Sequence, residues 1–119
     1  MTSAPTPLTD LEYHAKTDAV LAAVEAAVDR WLQDDVIDVD AHRVGGMLEL
    51  GFPDGSKIVV NTQPPLHELW LASRRAGHHF HHADGRWLDR EGAEFFDVLS
   101  RAASEQGGKP LRVDPPTGG

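Results

Sequence analysis

The chain has 119 residues, 40% of them hydrophobic and 25% charged, with a formal net charge of −8 and no cysteine. That length suits one compact domain. The charge speaks against a nucleic-acid backbone or an anionic membrane surface as partner and favours cations or a basic protein patch, while the lack of cysteine rules out disulfides, thiolate zinc sites and cysteine-held iron–sulfur clusters.

Residues 1–9 include Pro5 and Pro7 among small polar side chains and read as a flexible tail. They lack the basic and apolar regions of a signal peptide, and no apolar run approaches the length of a membrane span, so a cytoplasmic location is expected. Thr9-Asp10-Leu11-Glu12 matches a capping box. Behind it Leu11, Val20, Leu21, Val24, Ala27, Val28, Trp31 and Leu32 recur at helical spacing, which predicts an amphipathic helix over about 10–33.

The period then changes to two. Ile37, Val39 and Ala41 alternate with Asp38 and Asp40, predicting a strand over 36–41. Gly45-Gly46 turns the chain into a second strand, in which Leu48, Leu50 and Phe52 alternate with Met47, Glu49 and Gly51. Pro53-Asp54-Gly55-Ser56 makes a hairpin turn into a third over 57–61, which Pro64-Pro65 ends. A fourth spans 66–72, a fifth surrounds Phe80, and Asp84-Gly85 leads to a short sixth at Trp87. Phe95, Phe96, Leu99, Ala102 and Ala103 mark a second helix over about 92–106, stopped by Gly107-Gly108. Leu111 and Val113 are expected to pack back on the body, and 114–119 to be a disordered tail. Short hairpin connections imply an antiparallel sheet. Two helices cover only one face of it, which gives an α+β two-layer sandwich with one sheet face open. The single domain covers residues 10–113.

Three groups of residues stand out. Glu25, Asp29, Asp34, Asp35, Asp38 and Asp40 run along the end of the first helix and into the first strand. Carboxylates are hard ligands suited to Fe²⁺, Mg²⁺, Ca²⁺ or Mn²⁺, and an open array of them binds weakly and with little selectivity. The same run also reads as a solvated edge that keeps the protein soluble and blocks edge pairing. In the fourth strand Leu69 and Leu71 point inward, so Glu68 and Trp70 point outward, and the same logic turns Asn61 outward, with Gln63 extending the row. An outward Trp beside amides is a candidate binding hot spot, or else a ring lying flat on its own sheet. In the run His78, His79, His81 and His82, alternation puts His79 and His81 on one face, where paired imidazoles can hold a metal or simply be exposed strand residues. His14 and His67 stand alone and read as surface or helix-flank residues. No nucleophile–base pair, phosphate-binding glycine loop or HExxH motif is present, so binding rather than catalysis is expected.

The segment 55–72, GSKIVVNTQPPLHELWLA, is similar to the central signature of the frataxins. Glu12-Tyr13-His14 resembles the start of the bacterial first helix, Asp38-Val39-Asp40 with Gly45-Gly46 the first acidic hairpin, and Gly77-His78-His79-Phe80 before Asp84-Gly85-Arg86-Trp87 also follows the family's order. Asp89-Arg90-Glu91-Gly92 opens the last helix in the corresponding place. The resemblance covers about residues 10–106. It implies weak iron binding on the acidic ridge, contact of Asn61, Gln63, Glu68 and Trp70 with a cysteine desulfurase and an iron–sulfur scaffold protein, and a regulator of cluster assembly that is a monomer or, alternatively, an iron-dependent oligomer. Ala26 and Arg30 fall where related bacterial proteins carry acids, and Glu68 stands in place of the usual amide. An iron-oxidising storage oligomer and a metal-independent acidic docking domain are the competing readings.

Overall fold

A computed structural model describes residues 4–116. Helix α1 spans Asp10–Gln33. The Thr9 hydroxyl accepts the Glu12 N–H at 3.1 Å and the Glu12 carboxylate accepts the Thr9 N–H at 2.9 Å, so the capping box sets the start of the helix. Six strands follow: β1 (Asp40–Val44), β2 (Met47–Gly51), β3 (Lys57–Gln63), β4 (Glu68–Ala72), β5 (Gly77–Ala83) and β6 (Arg86–Leu88). They form one antiparallel sheet in chain order, and α2 (Phe95–Gly107) closes the chain. No helix among the described residues is long and apolar enough to cross a membrane.

One face of the sheet carries the core. Leu48, Leu50, Ile58, Val60, Leu69, Leu71 and Phe80 alternate with outward neighbours and meet Tyr13, Leu21 and Val24 of α1 and Phe95 and Leu99 of α2. Each such side chain contributes about 1.5–3 kcal/mol through removal from water. The two-layer α+β sandwich with one open face is therefore the fold that the periodicity predicts.

The elements depart from expectation at several boundaries: β1 runs on to Val44 and β3 to Gln63, and three starts shift for visible reasons. The first strand begins at Asp40 rather than at 36. The Val36 and Ile37 amides turn back to the Trp31 carbonyl at 2.8 and 3.4 Å, so they close α1 instead of pairing with a strand. Asp38 thus lies in a connector, with Val39 buried beside it. The fourth strand begins at Glu68 because Pro64–Leu66 form a 3₁₀ turn, and His67 takes a left-handed conformation at φ 51°. The second helix begins at Phe95. Asp89 Oδ1 accepts the Glu91 and Ala93 amides at 2.9 Å each, and Glu94 caps the helix through the Phe96 and Asp97 amides.

Leu111 and Val113 are buried, held by hydroxyls rather than by sheet pairing. Ser104 Oγ accepts the Leu111 amide at 2.8 Å and Ser100 Oγ accepts the Val113 amide at 3.0 Å. At the other terminus the Thr6 amide donates to the His82 carbonyl at 2.6 Å. Of the two expected tails, residues 1–3 and 117–119 lie outside the described residues.

Candidate functional site: an acidic edge and an open sheet face

The acidic residues follow one another along one stretch of chain. Glu25 and Asp29 lie on α1, Asp34 is its C-cap, Asp35 adopts φ 56° in the turn, Asp38 sits in the connector and Asp40 opens β1. All but Glu25 are exposed. Asp34 and Asp35 stand at the negative end of the α1 dipole, where a carboxylate costs the helix about 0.3–1 kcal/mol and deepens the local negative potential. Among the described residues no group of three or more His, Asp or Glu side chains converges to hold a metal ion. What the edge offers is a field of separate carboxylates, able to attract cations without fixing a coordination geometry.

Two features of this edge escape the charge pattern. Arg43 lies opposite Leu48 and so points to the helix side of β1. There its guanidinium donates to Glu25 Oε1 at 2.8 Å and to Asp18 Oδ1. The charge of Glu25 is therefore partly compensated, and the guanidinium's own pKa rises, first through the hydrogen bond to Glu25. The parity that turns Val39 and Ala41 inward carries on to Arg43 and was the available signal. Asp40 has the opposite parity. It lies opposite Gly51, which in turn faces Lys57, so its side belongs to the open face of the sheet.

That open face holds the second group. Strand register lines up Val44, Met47, Asn61, Trp70 and His79 in one row across five strands, and Gln63, Glu68 and His81 in the next. Asn61, Gln63, Glu68 and Trp70 thus share one surface, as the alternation requires. The Trp70 indole stacks on His79 with ring centroids 3.9 Å apart and planes 9° from parallel. Its Nε1–H donates to Glu68 Oε1 at 2.9 Å. The ring is half-buried and held, which removes much of the entropy cost of docking against it. Val44 and Met47 extend the row with exposed apolar surface.

His79 and His81 point to the open face, and His78, Phe80 and His82 to the other, as alternation predicts. His82 is buried against Trp87, with ring centroids 5.3 Å apart, and its Nδ1 has no hydrogen-bond partner among the described residues. Burial, helped by the nearby Lys16 ammonium, lowers its pKa below the ordinary value of 6.5. As pH falls through about 6.5 the unfolded chain takes up a proton there that the folded chain still refuses. Stability is thus full above that pH and declines below it. His82→Leu is expected to shrink the gap between melting midpoints at about pH 7.5 and about pH 5.5; an unchanged gap would assign the acid loss to other groups.

Residues 6–109 match the family model of the frataxin-like domain. The chain belongs to the frataxin family. This frataxin is 42% identical over 109 residues to the iron-sulfur cluster assembly protein CyaY of Paraburkholderia phymatum, covering 91% of this chain and 100% of that one. It is 46% identical over 105 residues to CyaY of Variovorax paradoxus, covering 87% and 96%. Its fold is similar to the solved frataxin of Psychromonas ingrahamii, with a TM-score of 0.80 at 31% identity over 90% of this chain and 99% of that one. It also shares the fold of the trimeric frataxin of Saccharomyces cerevisiae complexed with ferrous iron, with a TM-score of 0.66 at 21% identity over 91% and 94%.

Proposed function

We propose that this frataxin is a non-catalytic, iron-responsive adaptor of iron–sulfur cluster assembly. It docks on a cysteine desulfurase and its scaffold protein, and Fe²⁺ held weakly on the acidic edge alters that docking. The observation that carries this reading is the uncovered sheet face, where a fixed Trp70 sits among Asn61, Gln63 and Glu68. A helix-free sheet face with a held aromatic ring is a surface prepared for a partner. The acidic edge adds attraction for a basic partner patch and for cations. The names of the curated relatives supply the pathway, and the iron-complexed yeast relative supports iron as the cation.

An anaerobic Fe²⁺ titration followed by amide resonances tests the metal half. Selective broadening from Glu25 to Asp40 is expected. Broadening confined to His79 and His81 would move the site to β5, and no residue-specific change would leave a metal-independent docking domain. Oxygen consumption on Fe²⁺ addition would instead indicate an iron-oxidising oligomer. Asp38→Lys combined with Asp40→Lys reverses two charges and is expected to weaken Fe²⁺ binding and desulfurase binding several-fold each, the latter mainly through a slower association rate at low salt. Unchanged values for both would remove the acidic edge from the mechanism.

A further inference from the structure

On the helix side of the sheet, directly behind the docking face, lies Tyr13. It is fully buried in the second turn of α1. Its hydroxyl donates to the Glu68 carbonyl at 2.6 Å and accepts the Gln63 N–H at 3.0 Å. Gln63 and Glu68 are register partners, the pair of the β3–β4 ladder next to the 3₁₀ turn. Pro64 and Pro65 follow, and neither has an N–H to give. The phenol therefore satisfies two backbone groups that the turn leaves over. Burial raises its pKa above the ordinary value, which keeps it a proton donor.

The turn is held a second time from the same helix. The Tyr13 ring stacks on His67, with centroids 4.7 Å apart and planes 11° from parallel, and His67 Nε2 meets Asp10 Oδ1 at 2.7 Å. His67 is the left-handed residue that reverses the chain into β4. The first turns of α1 thus clamp both ends of the β3–β4 connection. On the outer side of the sheet the side chains of those same two backbone positions, Gln63 and Glu68, belong to the docking row, and the Glu68 carboxylate receives the Trp70 indole.

We infer that Tyr13 is a positioning residue for the docking face: its hydroxyl fixes the backbone of Gln63 and Glu68 and through Glu68 the orientation of the Trp70 indole. This rests on the docking reading given above. A residue on the helix side then tunes partner affinity without touching the partner. It acts over the thickness of one strand pair, through two hydrogen bonds and one carboxylate.

Tyr13→Phe tests it, because the substitution keeps the ring, its volume and the stack on His67 and removes only the oxygen. Three quantities are read for the wild type, Tyr13→Phe and Val98→Ala: the melting midpoint, the Trp70 Nε1–H resonance, and affinity for a purified cysteine desulfurase–scaffold complex. Val98 is buried on α2, outside the hydrogen bonds and the ring stack that hold the β3–β4 connection, and supplies a loss of stability for comparison. Tyr13→Phe is expected to shift the Trp70 resonance and weaken binding on the order of fivefold to tenfold, a loss of about 1–1.4 kcal/mol, with Val98→Ala unchanged in both. A lowered midpoint with wild-type resonance and affinity would leave Tyr13 a purely structural residue and overturn the inference, as would equal affinity losses in both variants. Trp70→Ala measured alongside separates the failures. Unchanged affinity there removes the docking reading itself, whereas lost affinity there with unchanged affinity in Tyr13→Phe removes only the role of Tyr13.

Discussion

Trp70→Ala is expected to weaken binding to the desulfurase–scaffold complex about thirtyfold or more, the 2 kcal/mol or more typical of a central aromatic anchor. The size follows from where the ring sits. It occupies the middle strands of the open face, flanked by Asn61 in one direction and His79 in the other. Its orientation is already fixed by the stack on His79 and the bond to Glu68, so little freedom is lost when a partner covers it. The cost to the free protein is smaller. Truncation forfeits a stack worth about 0.5–1.5 kcal/mol and leaves the half-buried Glu68 carboxylate to be solvated. Calorimetric affinity and a thermal melt on the same variant therefore separate the two effects. Affinity within about twofold of wild type would place the docking surface elsewhere.

The parts of this molecule that were legible in the sequence are those where one periodicity runs unbroken. Helix α1 carries its start signal in Thr9 and Glu12 and its buried stripe from Val20 to Trp31. The faces of β4 and β5 follow from strict alternation, which is why Trp70, His79 and His81 fall outward as expected. Legibility fails where the backbone is governed by bonds from residues distant in sequence. Nothing local to residues 36–39 reveals that two amides there serve the end of α1. Nothing local to Tyr13 reveals that its hydroxyl closes a ladder 50 residues away. His67 reads as an isolated surface or helix-flank residue; it does flank α1, but its partners there, Tyr13 and Asp10, are joined to it only by the fold.

Arg43 is a different kind of omission. Its parity was readable, but a cation facing inward makes sense only once α1 is known to present Asp18 and Glu25 above β1. The consequence is functional. The acidic run divides into a part on the helix side, at Asp18 and Glu25, whose two charges share one guanidinium, and an exposed part from Asp29 to Asp40. Asp40 belongs by register to the open sheet face, so the exposed part of the edge reaches the docking surface. On the adaptor reading proposed above, a cation gathered at Asp38 and Asp40 would lower the charge at the margin of the proposed docking surface, an electrostatic route from iron to docking affinity.

Phe80→Ala, one residue from His79 on the same strand, is expected to act by the opposite route and to cost about 3–5 kcal/mol of folding free energy. Phe80 is fully buried, lies opposite Leu69 in register and meets the Phe95 ring edge-on with centroids 5.3 Å apart. Truncation opens a cavity between the sheet and α2 that rigid strands on either side cannot collapse into. Against the usual 5–15 kcal/mol of a domain this size, the loss amounts to a fall of roughly 10–20 °C in the melting midpoint. At a temperature where the variant remains folded, its affinity for the partner should match wild type, since the open face is untouched. A melting midpoint within about 3 °C of wild type would mean that α2 repacks onto the sheet, and the description of Phe80 as the contact joining β5 to α2 would have to be abandoned.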